Sequence, residues 1–141
     1  MIYTEKTKRA MQIAFDAHMG QVDKAGVPYI FHPIHVAEQM ETEEECIVAL
    51  LHDVVEDTNI TFEDLDKEFS SVVIEALKLM THDKSVPYFD YVKRIKNNPI
   101  ARKVKLADLN HNSDETRICN LSSEDIERIK KYHSAIMILS S

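Results

Sequence analysis

Six consecutive apolar residues, Cys46-Ile-Val-Ala-Leu-Leu51, run directly into His52-Asp53-Val-Val-Glu56-Asp57. Thr42, with Glu45 three residues on, has the form of a capping box that opens a helix just ahead of that run. A helix that is apolar on every side has no face to offer water, so it belongs in the middle of a bundle. The rest of the chain must supply the helices that surround it. Ala10, Ile13, Ala14, Ala17 and His18 recur at helical spacing, which predicts an amphipathic helix over residues 4–18. Pro33, in the first turn after His32, predicts a second helix reaching about Met40. Thr61 with Asp64 starts a short helix, and Ser70 or Ser71 starts one over Val72 to Met80. Pro87 reads as the first residue of a helix ending near Asn98, and Pro99 begins the helix that contains Lys103 to Asp108. Ser122 with Asp125 caps the last helix, Glu124 to about Leu139. The only two glycines, Gly20 and Gly26, mark one long loop. No segment alternates with period two, and there is no repeat or linker. Residues 1–141 are therefore expected to form one all-α domain, a helical bundle.

Charge narrows the partners. The chain carries 17 basic and 24 acidic residues, a formal net charge of -7. A phosphate backbone or an anionic membrane would repel such a surface, so neither nucleic acid nor membrane is an expected partner. No apolar run approaches the roughly 18 residues of a membrane span, and MIYTEKTKRA lacks a signal peptide's apolar stretch. Cys46 and Cys119 have no metal-type spacing, and Cys46 reads as a core thiol. A reducing cytoplasm is the expected location.

The chemistry concentrates after the apolar run. If the helix continues, Glu56 lies one turn beyond His52 and Asp53, and Asp57 one turn beyond Asp53. Three crowded carboxylates repel and call for a compensating positive charge; alternatively they are a solvated helix end. His32 sits at a helix start, where a histidine caps or packs as readily as it ligates. Asp108 has Lys105 three residues before it and Asn112 four after, so it either heads a polar stripe or pairs with Lys105.

Taken in order, His32, His52-Asp53 and Asp108 resemble the H…HD…D signature of the HD-domain metal-dependent phosphohydrolases, an all-α superfamily. The flanks are similar to the hydrolase domain of the RelA/SpoT family, including its small stand-alone members. Three blocks carry the likeness: His18-Met-Gly20-Gln21 with Gly26-Val-Pro28-Tyr29-Ile-Phe-His32-Pro33, then Ala49-Leu-Leu-His52-Asp53-Val-Val-Glu56-Asp57-Thr58, then Lys105-Leu-Ala-Asp108-Leu-Asn-His111-Asn112. The likeness extends over nearly the whole chain. It implies one divalent ion on His32, His52, Asp53 and Asp108, with Mn²⁺ the first choice and Fe²⁺ or Zn²⁺ the alternatives. It implies a catalytic acidic pair, Glu56 and Asp57, and substrate contacts from Lys24, Lys105 and Asn112. The implied reaction removes pyrophosphate from the ribose 3′ position of guanosine tetra- or pentaphosphate. Two imidazoles and two carboxylates suit a borderline-to-hard ion, and such an ion activates water and takes charge from a phosphoryl oxygen.

One departure stands out: Asp23-Lys24 occupies the place of the family's Arg-Lys pair, whose arginine stacks on the guanine. The resemblance therefore implies altered base recognition and leaves open a phosphatase for another nucleotide, or a non-catalytic nucleotide sensor. A dinuclear iron oxygenase on the same scaffold would need a further histidine, for which His82 is the available residue. Lys93, Arg94, Lys96, Arg102, Lys103 and Lys105 form a basic stretch without an acid, read either as an attraction for an anionic substrate or as a solvated helix pair. His18 and His111 line the site or pack, and His35, His82 and His133 are expected to be structural.

Overall fold

A computed structural model describing residues 1–141 contains nine α-helices and one 3₁₀ turn. They are α1 (Glu5–Ala17), α2 (Phe31–Glu38), α3 (Glu43–Leu51), α4 (Val54–Asp57), α5 (Phe62–Asp66), α6 (Ser71–Met80), α7 (Tyr88–Ile95), α8 (Pro99–Asn112) and α9 (Ser123–Ser140), with the 3₁₀ turn at Glu115–Arg117. The all-α class read from the sequence is correct. Cys46 to Leu51 are all buried, and α3 packs against α1, α2, α6 and α8, the central position its apolar run demands. Helix α9 closes the bundle across α7 and α8.

Local chemistry sets most helix starts. Thr61 accepts from the Asp64 N–H while Asp64 accepts from the Thr61 N–H, and Ser122 with Asp125 does the same for α9. At α3 only half of the expected box forms. Thr42 accepts from the Glu45 N–H at 3.2 Å, but the Glu45 carboxylate takes the Glu41 N–H at 3.0 Å instead of reaching back to Thr42. Lys103, 3.1 Å from that carboxylate, draws it aside. Helix α7 ends at Ile95 rather than near Asn98, because the Asn98 side chain caps the next helix through the Ala101 N–H. Pro87 is the N-cap of α7, one position ahead of the expected first turn.

The α1–α2 connection is a tight hairpin-like loop. Asp23 N–H donates to the Val27 carbonyl at 2.8 Å, and Tyr29 N–H donates to the Gln21 carbonyl at 2.9 Å. Gly26 turns the tip with φ +82°, a left-handed conformation that a side chain would strain. The loop thereby brings Asp23 and Tyr29 towards the end of α8.

The helix after the apolar run does not continue. Helix α3 stops at Leu51, Asp53 adopts φ -106° and ψ 0°, and α4 restarts at Val54. The cause is a side chain. The His52 ring donates from Nδ1 to the Ala49 carbonyl at 2.6 Å, the carbonyl a continuing helix would offer to the Asp53 N–H. The break turns His52 and Asp53 inward together.

Because α3 is enclosed on all sides, truncating it leaves a cavity that the surrounding helices cannot fill. Leu50→Ala should lower unfolding free energy by about 2–5 kcal/mol in denaturant titration; a cost below about 1 kcal/mol would mean the bundle closes around the gap.

Candidate metal centre and its cleft

Four elements meet behind the break. His32 comes from the first turn of α2, His52 and Asp53 from the α3–α4 junction, and Asp108 from the third turn of α8. One potential ligand atom from each of these residues lies within 4.8 Å of the others. His32 Nε2 is 2.8 Å from Asp108 Oδ1 and 3.8 Å from Asp53 Oδ2. His52 Nε2 is 3.0 Å from Asp53 Oδ2 and 3.4 Å from Asp108 Oδ1. His32, His52 and Asp108 are buried and Asp53 is half-buried. The four residues that the resemblance implied as ligands are thus brought together, from positions up to 76 residues apart.

These residues fit a divalent cation. Because the Ala49 carbonyl can only accept, His52 Nδ1 carries the proton, and Nε2 faces the cluster buried and without a hydrogen-bond partner. His32 Nδ1 lies 2.7 Å from His111 Nδ1. Burial, together with nearby Arg117, His32 and His35, lowers the His111 pKa to about 4, so His111 is neutral and can accept the His32 proton. With Nδ1 engaged by His111, His32 turns Nε2 to the cluster side. A buried nitrogen with no partner and a donor set of two imidazoles and two carboxylates are what Mn²⁺, Fe²⁺ or Zn²⁺ coordinates.

The electrostatics also favour positive charge. Burial alone would raise Asp108, but Lys105 at 2.9 Å, with His32 and His52, holds it well below the usual carboxylate range. Asp53 is likewise lowered against its burial, chiefly by His52. Burial disfavours charge on His52, yet Asp53 and Asp108 push its pKa well above the ordinary imidazole value. Tyr29 donates its hydroxyl to Asp53 Oδ2, and Asn112 donates to Asp108 Oδ1 at 3.0 Å. Asn112, expected as a substrate contact, therefore also fixes a carboxylate of the cluster.

Two cavities flank the cluster and share Asn112 and Tyr132 as a partition. One, about 230 Å³, is lined by Glu56, His82, Tyr88, Tyr91, Lys105, Asp108 and Lys131 besides the partition. Lys131 lies 4.5 Å above the Tyr88 ring and Lys105 lies 5.5 Å from the centre of Tyr91, so aromatic faces position both ammonium groups. The Tyr88 hydroxyl is buried without a partner, and burial raises its pKa to about 12, so it remains a donor. The other cavity, about 330 Å³, is lined by Val22, Asp23, Lys24, Tyr29, Arg117, Ile118 and Arg128 among others.

The acidic pair divides. Glu56 opens into the lysine-lined cavity, whereas Asp57 lines a separate depression with Asp16, Gln21 and Asn59. Burial and the Asp53 charge raise the carboxyls of both Glu56 and Asp57. Of the basic stretch before Asp108, only Lys105 reaches the cluster. Lys103 pairs with Glu41 and Glu45, and Arg102 donates to the Leu139 carbonyl. Three participants escaped the sequence reading. Lys131 and Arg117 belong to no block of the motif, and His35, expected to be structural, stacks 4.1 Å behind His111. His82 stands outside the four-residue cluster and donates from Nε2 to the Val86 carbonyl, 2.7 Å away, so a second histidine-rich ion site is not built.

Residues 10–127 match the sequence model of the HD domain. The chain belongs to the HD-domain family. Its relatives include the guanosine-3′,5′-bis(diphosphate) 3′-pyrophosphohydrolase MESH1 of Danio rerio, 34% identical over 86% of this chain and 75% of that protein. The enzyme of the same name from Homo sapiens is 34% identical over 78% of this chain and 68% of its own. The bifunctional (p)ppGpp synthase/hydrolase SpoT of Escherichia coli is 33% identical over 77% of this chain, which spans 18% of SpoT. A solved structure of a metazoan ortholog of SpoT that hydrolyzes ppGpp superposes with a TM-score of 0.77, covering 99% of this chain and 88% of that chain at 27% identity. An HD domain implies a divalent metal, in agreement with the cluster.

Because protons and metal compete for His52, whose pKa is raised, ion affinity should increase with pH. The sign follows from the shift: below the raised pKa the ring is protonated and the ion must displace the proton. Calorimetric titration with Mn²⁺ at pH 6, 7 and 8 should give progressively tighter binding, with proton release at the lower values. A pH-independent affinity would remove His52 from the site.

Proposed function

We propose that this HD domain hydrolyses guanosine 3′,5′-bis(diphosphate) at the 3′ position, with Mn²⁺ held by His32, His52, Asp53 and Asp108. The observation that carries the reading is the buried cluster of two imidazoles and two carboxylates, with His52 Nε2 unpartnered, opening onto a cavity that carries Lys105 and Lys131. The relatives named for this same hydrolysis support it. No helix of the chain is long and apolar enough to cross a membrane, and the free thiols of Cys46 and Cys119 suit the reducing cytoplasm.

When bound, the ion lowers the pKa of water and withdraws charge from a phosphoryl oxygen. The chain's own residues do the rest. Glu56 faces the reacting phosphorus from the lysine-lined cavity, and its raised pKa makes it a more effective proton acceptor than an ordinary surface glutamate. It takes the proton of the attacking water. Water oxygen bonds to the phosphorus on the ribose 3′ oxygen, the bond between that phosphorus and the 3′ oxygen breaks, and the 3′ oxygen takes back the proton that Glu56 received, so that pyrophosphate and guanosine diphosphate with a free 3′ hydroxyl are the products. Lys105 and Lys131 balance the charge of the 3′ diphosphate, and the Tyr88 hydroxyl donates to it. Asn112 keeps Asp108 in place at the partition, where the ribose passes between the two cavities. Lys24, on the wall of the larger cavity, meets the nucleoside 5′ side. Asp57 supports the α4 turn, which Gln21 anchors by donating to the Asp57 carbonyl at 3.2 Å.

Glu56→Gln should retain metal content and slow hydrolysis by roughly 10²- to 10⁴-fold, the usual contribution of a general base. Elemental analysis and a pyrophosphate-release assay measure the two quantities separately. Metal lost together with activity would make Glu56 a ligand. Should the wild-type protein with Mn²⁺ release no pyrophosphate from the alarmone while cleaving another phosphorylated nucleotide, the substrate assignment would fall and the chemistry would stand.

A further inference from the structure

Asp23 presents an acid where an anionic nucleotide would enter, and its surroundings decide what it does there. Its Oδ1 accepts the N–H groups of Ala25 and Val27 at 2.8 and 3.0 Å. Its Oδ2 accepts from Arg117 Nη2 at 2.9 Å. Those three donors, acting against partial burial, keep the carboxylate ionised below its ordinary range. Three of the roughly four acceptor positions of Asp23 are therefore taken within the protein, and its charge is matched by a guanidinium at contact distance.

Arg117 is the more consequential partner. It sits in the 3₁₀ turn after α8, and its Nη1 donates to the His111 carbonyl at 2.9 Å and weakly to Asn112 Oδ1 at 3.4 Å. Both ends of the guanidinium are thus pinned in its own plane, between two loops that are 94 residues apart in sequence. Three of its five N–H donors are thus taken by protein acceptors, which holds both terminal nitrogens in place and fixes the plane of the group. Arg117 lines the cavity of about 330 Å³ together with Tyr29, Ile118 and Tyr132, and lines a second one of about 430 Å³ with Phe31 and His35. Its side chain retains 23% exposure. A guanidinium whose plane is fixed by hydrogen bonds, lining a cavity with aromatic and aliphatic walls, is suited to stack on a flat heteroaromatic ring.

We propose that Arg117, oriented by Asp23, stacks on the base of the nucleotide and sets this enzyme's affinity for the nucleoside part of its substrate. The proposal rests on the reading of the site as a nucleotide hydrolase. Asp23 acts as a positioning residue: it neither touches the base nor repels the phosphates. Replacing Asp23 with a basic residue would expel Arg117 from its seat by like-charge repulsion and would not add a second platform.

The test separates base from phosphate. With the alarmone as substrate and free Mn²⁺ held constant, Arg117→Ala should raise KM about 3- to 30-fold, the range of a lost cation–π contact, with kcat changing far less. Inhibition by guanosine diphosphate should weaken by a similar factor, while inhibition by inorganic pyrophosphate should not change. Arg117→Lys, which keeps the charge beside Asp23 but has no planar face, should behave like Arg117→Ala and covers the case in which the alanine variant does not fold. Asp23→Ala should raise KM less, and the double variant should be no worse than Arg117→Ala alone, because the aspartate acts only through the arginine. An unchanged KM and unchanged guanosine diphosphate inhibition in either Arg117 variant would overturn the proposal. So would equal weakening of pyrophosphate and guanosine diphosphate, which would mark Arg117 as a phosphate or structural contact. If the wild-type protein does not turn over the alarmone at all, the hydrolase assignment fails on its own. Calorimetric binding of guanosine diphosphate to wild type and Arg117→Lys then still decides the stacking role.

Discussion

The Asp108 carboxylate is the point on which the rest of the site depends. His32, His52 and Asn112 meet its Oδ1, and Lys105 takes Oδ2. A buried carboxylate without such partners would be neutral or would cost several kcal/mol, so the surrounding elements have to supply them. Helix α8 provides two from its own face, Lys105 one turn before and Asn112 one turn after. The histidines come from α2 and from the end of α3, and both helices pack on α8. Packing of the bundle and assembly of the cluster are therefore one event. The apolar run of α3 sets where His52 arrives, and the Ala49 carbonyl sets which of its nitrogens faces inward.

The break after Leu51 is the local conflict that makes this possible. Continued as a helix, the segment would keep His52 and Asp53 about 100° apart around one axis, aimed at different neighbours. By taking a carbonyl from the backbone, the His52 ring ends α3 and lets Asp53 turn towards Tyr29 and His32. One hydrogen bond thus exchanges helical regularity for a convergent pair of potential ligands. The same turn places Glu56 and Asp57 on opposite sides of α4, which is why only Glu56 reaches the cavity that holds Lys105.

What was legible in the sequence follows from range. Helix starts at Thr61, Ser70 and Ser122 were readable because a cap is a contact over three residues. The central place of α3 was readable because six apolar residues leave a helix no outer face. The ordered residues His32, His52, Asp53 and Asp108 carried the candidate site because each sits in a recognisable local block. The α3–α4 break was not readable, since it depends on which acceptor a histidine chooses in the folded chain. Lys131 and Arg117 were not readable either, as each enters the cleft from a segment with no motif of its own. Asp23 shows the limit most clearly. From sequence it was an acid facing an anionic ligand; in the fold its partner lies at the far end of α8.

That pairing also resolves an apparent conflict between overall charge and function. A net charge of -7 disfavours polyanions that cover a broad surface, because they sample the summed field. A small nucleotide in a cleft responds instead to groups within about a Debye length of roughly 8–10 Å, and to those shielded from water still more strongly. Around the cleft the acids are largely matched: Asp23 by Arg117, Asp125 by Arg128, and Asp108 by Lys105 and the histidines. Lys131 and Lys24 add positive charge on the cavity walls without a carboxylate at contact distance. The acidic excess lies elsewhere, for instance in half-buried Glu43 and exposed Glu44, where it favours the first turn of α3. An acidic chain can therefore hold a phosphorylated ligand because its charges are sorted by position, and the sorting is done by the same helix ends and loops that bring His32, His52, Asp53 and Asp108 together.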